Sequence, residues 1–202
     1  MNLFEGIEKD RTNADLGWIS DKSSAYISGY KLAAEKLSEG YEHLDTQAKD
    51  SLIFPIIFLY RQHIELSLKS IIRKLDIKLN NNRKPEELNH HRLLNLWDES
   101  EKLYNQFLQD NSVSLVFTKP EATKERSIVN DFNMVDKNSF SFRYSTNKDN
   151  TKSLGGIDYI SLNNFQTQIS IVIERIENII ETLSHSVADQ TLFAFEMRTP
   201  YC

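Results

Sequence analysis

The chain has 202 residues, of which 40% are hydrophobic and 26% charged, a balance typical of one globular domain rather than a disordered chain. The formal net charge of −5 excludes a surface that is basic overall, although it leaves room for a local basic groove. Cys202 is the only cysteine, so the chain has no internal disulfide, which suits a reducing compartment.

The N-terminal residues and the most apolar segment together predict a cytoplasmic protein without a membrane span. Residues 1–6 lack the basic start and apolar run of a signal peptide. The most apolar stretch, 52–60, contains Pro55 and ends at Arg61, whereas a membrane-spanning helix needs about 20 apolar residues. We expect this stretch to be part of a core helix.

The predicted fold is an all-α, up-and-down bundle of about five helices in a single domain, residues 1–202, with its core at about 46–188. The first helix, 21–41, ends at Gly40, a typical stop residue. The second, 46–79, contains Pro55, which predicts a kink or marks the true first turn. Both have apolar stripes at steps of three and four: Tyr26, Tyr30, Ala33, Leu37 and Tyr41 in the first, and Ile53, Ile57, Tyr60, Ile64, Leu68, Ile71 and Leu75 in the second.

Three further helices are predicted at 91–109, 121–135 and 163–188. The last has the broadest apolar face, which predicts cover on two sides, either inside the bundle or in a dimer. The tail after it, 189–202, is too apolar for a free end. We therefore expect a homodimer formed through the last helix or this tail. The predicted inward residues are Leu93, Leu96, Trp97, Leu103, Phe107 and Leu108 in the third helix, Ile128, Phe132 and Val135 in the fourth, and Phe165, Ile169, Val172, Ile176, Ile179 and Leu183 in the last.

Residues 138–159 break the helical pattern. Between Ser139 and Tyr144, small or charged residues alternate with aromatic ones, which is typical of a strand. A polar tract with Gly155 and Gly156 follows. We therefore predict a small β-hairpin with an exposed tip, inserted before the last helix.

The common signatures of nucleotide and metal sites are missing from the sequence. The chain has no glycine-rich phosphate loop, no paired cysteines and no Gly-x-Ser-x-Gly motif. His63 and Glu65 are two residues apart on a helix and would point to different faces, so they make a poor chelating pair. We expect neither a metal nor a cofactor.

Arg61, Glu65 and Lys69 recur every four residues on the second helix and form one charged stripe. One interpretation is a solvated face with two ion pairs, each contributing about 0.3–0.5 kcal/mol. The other is a buried polar seam that holds a ligand or orients a partner. The almost entirely apolar surroundings, 52–72, favour the seam, because a carboxylate in such a setting needs a partner.

His90, His91 and Arg92 open the third helix. A helix N-terminus offers free backbone donors and a positive dipole end, which suits an anion such as phosphate. The dipole also favours a neutral histidine, which can act as a base. The structural alternative is that one histidine caps the helix and the other is exposed.

On the seam interpretation, we expect Glu65 to be buried and paired with Arg61, Arg143, His90 or His91.

Phe142, Arg143 and Tyr144 lie on the predicted hairpin. An arginine between aromatic residues is found both at core edges and at ligand contacts. Arg143 and Tyr144 are therefore candidate ligand-binding residues, together with Glu65 and Lys69.

Four features carry a resemblance to a known family: the segment Tyr60–Lys69, the segment His91–Trp97, the run Ser141-Phe142-Arg143-Tyr144, and the long closing helix. Over roughly 46–188 the chain resembles a branch of the HEPN superfamily. These are small helical domains, and the name stands for higher eukaryotes and prokaryotes nucleotide-binding domain. The resemblance implies a four- or five-helix bundle, often dimeric, of bacterial toxin–antitoxin and phage-defence systems. It also implies RNA, a nucleotide, or an antitoxin or other defence protein as partner.

Active HEPN members are metal-independent ribonucleases with an arginine followed four to six residues later by a histidine on a late helix. Here nine residues separate Arg175 and His185, and the pair Arg83 and His90 spans the loop before the third helix. We therefore predict a non-catalytic binding module. Two alternatives stay open: an endoribonuclease, with His90 or His91 as base, Arg61 or Arg143 against the phosphate and Glu65 as orienter, and a purely structural dimer.

Overall fold

The computed structural model describes residues 6, 8, 10–17, 22–111, 123–147 and 149–196, with the side chains of the last helix described as far as Ser184. Five α-helices pack as a bundle, so the predicted all-α class is confirmed. α2 contacts α1, α3 and α5, and α4 contacts α3 and α5. The helices are α1 (Lys22–Ser38), α2 (Thr46–Lys78), α3 (Leu93–Asp110), α4 (Lys124–Val135) and α5 (Leu162–Glu196), with 3₁₀ turns at Tyr41–His43 and Pro85–Leu88.

α2 is the central helix of the bundle. Asp45 caps its N-terminus by accepting a hydrogen bond from the Ala48 amide at 2.8 Å, and Asn80 just beyond its end has the left-handed φ of 54° typical of helix termination. Pro55 lies inside the helix. All seven residues of the predicted α2 stripe and all six predicted inward residues of α3 are buried. Spacing alone therefore predicted the core of both helices.

The predicted face of α1 is wrong in part. Tyr26 is 64% exposed, whereas Ala34, which lies outside the predicted stripe, is completely buried. A small residue lets two helices approach closely, so α1 packs on α2 around Ala34, and the larger Tyr26 points outward. Gly40 ends this segment with a φ of 68°, a conformation that glycine adopts without strain.

The broad apolar face of α5 is covered within the chain, by α2 and α4. The opposite face is polar as far as Ser184. α5 also continues into the predicted tail, to residue 196, while the side chains of that tail lie outside those described. The exposed residues of α5 are Asn163, Asn164, Thr167, Ser170, Glu174, Glu177, Asn178, Glu181 and Ser184.

The predicted β-hairpin is not found: the described part of 138–160 contains no β-strand, only an isolated antiparallel bridge between Thr146 and Lys152. The reason is a side chain just after α4. Asp136 Oδ1 accepts hydrogen bonds from the Phe140 and Ser141 amides at 2.5 and 2.8 Å. Such a bond pattern folds the backbone into turns and competes with strand pairing.

None of the helices, over the residues that are described, is long and apolar enough to cross a membrane.

Candidate functional site

Arg61 on α2 has no exposed surface and forms the centre of a buried charged cluster. Its Nη1 donates to Glu65 Oε2 at 2.9 Å. Its Nη2 donates to two backbone carbonyls, that of His91 at 2.7 Å and that of Asp136 at 3.2 Å. One guanidinium thus joins α2 to the segment before α3 and to the segment after α4.

Asp136 supplies a second carboxylate to this cluster. Its Oδ2 lies 3.1 Å from Arg61 Nε. Neither atom has a partner with hydrogen-bond geometry among the described residues, so their contact is electrostatic. The guanidinium therefore faces two carboxylates, which provides the compensation that a buried charge requires.

Glu65 is 2% exposed and accepts from three side chains, as predicted for a buried seam. Besides the bond from Arg61, its Oε1 accepts from Lys69 Nζ and from His91 Nδ1, both at 2.8 Å. Burial alone raises the pKa of Glu65, but the bonds and charges of Lys69 and His91 outweigh burial and hold the pKa below its usual value. Glu65 is therefore ionised at neutral pH and acts only as an acceptor.

His91 is oriented by this carboxylate. Because ionised Glu65 can only accept, His91 Nδ1 is the donor of their hydrogen bond. The side chain is 53% exposed, and in the neutral ring the second nitrogen, Nε2, is then the acceptor. A carboxylate on one ring nitrogen with the other open to solvent is an arrangement that can serve a general base.

Lys69, His90, His91 and Arg92 form the outer edge of the cluster, here called the basic rim. His91 and Arg92 are exposed, whereas the Lys69 side chain is only 11% exposed. His90 accepts from the Arg92 amide at 3.3 Å. Burial, then the neighbouring Lys69 and Arg92 charges, lower the pKa of His90, which favours its neutral form. Arg92 is exposed and occupies the N-cap position of α3 without a side-chain capping bond. The rim thus places cationic side chains at a helix N-terminus.

Arg143 and Tyr144 do not join this cluster. Arg143 Nε donates to the Ser139 carbonyl at 2.6 Å, and its guanidinium carbon lies 5.6 Å from the Phe58 ring centre and 5.4 Å from that of Tyr144. Of the pairings considered for Glu65, those with Arg61 and His91 are confirmed and the one with Arg143 is wrong. The roles assigned to these residues in binding or catalysis stay predictions.

Asp136, Gln62 and Ser139 belong to the cluster but were not predicted from the sequence. Gln62 donates to Ser139 Oγ at 2.7 Å, beside the contact between Arg61 and Asp136. The run from Asp136 to Ser139 consists of polar, turn-forming residues, which is a signal for a turn. Its contact with α2, 75 residues away in sequence, was not predictable because such a contact produces no pattern in the local sequence.

The arginines of the two HEPN-like Arg…His pairs are both held in ion pairs. Arg83 donates to Asp76 at 2.6 Å and to Glu99 at 2.5 Å. Arg175 makes two bonds to Glu101, at 2.9 and 2.8 Å. Both arginines stabilise contacts within the bundle.

No protein-family model, curated protein or solved structure matches the chain. Within the described residues, no three histidine, cysteine, aspartate or glutamate side chains are grouped so as to hold a metal ion.

Proposed function

We propose that the protein is a non-catalytic, HEPN-like helical module of bacterial defence or stress that binds RNA through its basic rim. One observation carries the proposal: buried Glu65 holds Lys69 and His91 side by side, at the uncapped N-terminus of α3. Cationic side chains and free backbone donors at one place suit the phosphates of an RNA backbone. Since the net charge is −5, binding depends on this local patch.

Non-catalytic binding is favoured over cleavage because of where the arginines lie. A cleaving enzyme needs a cation against the phosphate in the transition state. Arg61 is fully buried with its donors directed at protein atoms, and Arg143 lies outside the cluster. Neither of the two arginines that the ribonuclease alternative assigns to the phosphate is therefore part of the basic rim.

Arg92→Gln is the sharpest test of binding, because Arg92 is exposed and its side chain caps nothing. We expect a several-fold loss of affinity for a short single-stranded RNA, and a dependence of log affinity on log salt that is shallower by about one phosphate contact. Titrations at several salt concentrations measure both. Lys22→Gln, an equal charge change at an exposed position of α1, is the control.

Loss of affinity in both variants, or in neither, would contradict an RNA site at the rim. Capture of an acidic protein by the wild type, lost in Arg92→Gln, with no RNA binding would replace RNA with a protein partner.

The second candidate is a metal-independent endoribonuclease, favoured by the hydrogen bond between Glu65 and His91. His91 Nε2 would take the proton of the ribose 2′-hydroxyl, whose oxygen would attack the adjacent phosphate to give a 2′,3′-cyclic phosphate. The bond from phosphorus to the 5′-oxygen of the next nucleotide would break, and this leaving oxygen would take a proton from water. The same RNA, incubated with the wild type and with His91→Gln, tests this. Cleavage that disappears in the variant and on a 2′-deoxy strand would establish the enzyme, and intact RNA with the wild type supports the binding module.

A further inference from the structure

A cavity of about 610 Å³ opens beside the segment that follows α4. Its volume lies within the range of small-molecule sites in proteins, roughly 300–1,000 Å³. Aromatic and small polar side chains line it, among them Phe54, Phe142, Tyr144 and Ser153, and two cations, Arg143 and Lys152, lie at its wall. A mostly apolar cavity with a few polar groups and positive charge fits a flat aromatic ligand that bears an anion.

The aromatic wall is held in place before any ligand arrives. The Tyr144 ring packs on Phe140, with ring centres 4.4 Å apart, and the Arg143 guanidinium lies 5.4 Å from the Tyr144 ring centre and 5.6 Å from that of Phe58. Tyr144 is nevertheless 51% exposed and Phe54 42%. Partly exposed aromatic side chains whose positions are fixed are surfaces on which nucleobases can stack.

Two polar groups in the wall have capacity left for a ligand. Ser153 Oγ is buried and has no hydrogen-bond partner among the described residues. Arg143 uses its Nε on the Ser139 carbonyl, and its terminal nitrogens have no acceptor within the described part of the chain. A buried hydroxyl without a partner is costly, so a ligand with a polar edge is the natural complement.

The cavity is joined to the basic rim through Asp136. Asp136 Oδ1 holds the amide of Ser141, a cavity-lining residue, and its own carbonyl accepts from Arg61. Arg61 in turn bonds the carbonyl of His91 in the rim. Rim and cavity are therefore parts of one connected frame.

We infer that this cavity binds a single unstacked nucleobase of the RNA strand whose phosphates contact the rim, an inference that rests on the function proposed above. Tyr144 stacks on the face of the base, Ser153 bonds its polar edge, and Arg143 and Lys152 attract the neighbouring phosphate. Stacking is tolerant of sequence because every base has a π-face, so the cavity selects unpaired strands rather than one particular base.

Tyr144→Leu tests the cavity, with Tyr26→Leu, an exposed tyrosine on α1, as the matched control. Three probes are compared: a short single-stranded RNA, an abasic oligonucleotide of equal length, and a free nucleoside 5′-monophosphate. We expect Tyr144→Leu to weaken RNA binding by roughly five-fold or more and to leave the abasic strand unaffected. Tyr144→Phe keeps the stacking ring and should bind RNA like the wild type.

Equal losses for RNA and the abasic strand in Tyr144→Leu, or no loss for either, would overturn the inference. Failure of the wild type to bind either strand sinks the proposed RNA function instead. The monophosphate then decides on the cavity: binding that Tyr144→Leu removes supports a nucleobase site, and no binding overturns it.

Discussion

Arg61 and Glu65 lie four positions apart on one helix and form an ion pair that is buried. Exposed pairs at this spacing contribute only tenths of a kcal/mol. Here both side chains are buried, and Glu65 compensates three basic groups at once. Removing one partner from such a group leaves the others without compensation, which is costly.

Glu65→Ala should therefore lower the free energy of unfolding by roughly 3–5 kcal/mol. Chemical denaturation at neutral pH measures the change. Glu177→Ala, which breaks the more exposed pair with Lys31, is the control and should cost at most about 1 kcal/mol. Similar small losses for both variants would show that the cluster contributes nothing to stability.

At the scale of elements, the contact between α1 and α2 depends on a buried histidine. His63 is 5% exposed, and its Nδ1 lies 2.9 Å from the Ile27 carbonyl, to which it donates. Nε2 is buried without a partner among the described residues. Burial lowers the pKa of His63, only partly opposed by the bond to Ile27 and by the nearby acids Glu35 and Glu177, while Lys31 lowers it further.

This interface should weaken in mild acid. The unfolded chain takes up a proton on His63 near pH 6.5, whereas the folded protein does so only at lower pH, so stability falls as the pH drops below 6.5. His63→Asn keeps a donor for Ile27 without titrating. We expect a smaller fall in thermal midpoint between pH 7 and 5 for this variant than for the wild type.

His43→Asn, which replaces an exposed histidine, is the control. Its fall in thermal midpoint between pH 7 and 5 should match that of the wild type. An equal fall in thermal midpoint in all three proteins would show that protonation of His63 does not cause the pH dependence. Glu65 does not interfere, because its lowered pKa places its own effect below pH 4.5.

Helices were predictable from sequence and the segment between α4 and α5 was not, for a physical reason. The stripes of α2 and α3 repeat at the helical period, and burial follows from that period directly. The alternation around Phe140 and Phe142 has the period of a strand, but bonds from the Asp136 carboxylate to two backbone amides override it. Burial of Glu65 was predictable from its apolar neighbours, while its bond to His91 depends on the path of a loop.

At the scale of the whole molecule, the described residues leave an apolar groove open at the junction of two helices. A groove of about 290 Å³ lies between α4 and the start of α5 and is lined by Phe132, Phe165 and Tyr159. Tyr159 is 96% exposed, and Met134, on α4, is 76% exposed. Exposed apolar side chains beside an open apolar groove mark interaction surfaces. Because Phe165 places this groove on the last helix, we propose that the homodimer predicted from the sequence forms here.

Sedimentation equilibrium at micromolar concentration should then give twice the chain mass of 23.5 kDa. Tyr159→Lys should shift the protein to monomer, because a charge in a dry interface is costly. Ile77→Lys is the control: Ile77 is 77% exposed but lies near Leu183, away from the groove at the start of α5. A wild-type monomer, or equal effects of both variants, would contradict a dimer through this groove.

The placement of Arg61 has one more consequence, for the entropy of binding. Its guanidinium bonds the carbonyls of His91 and Asp136, so the backbone beside both the rim and the cavity is fixed before any strand arrives. Because this backbone is already fixed, the conformational entropy lost on binding is mainly that of the ligand. Because a guanidinium stays protonated at every physiological pH, the spacing between the two contacts persists whatever charge the histidines carry.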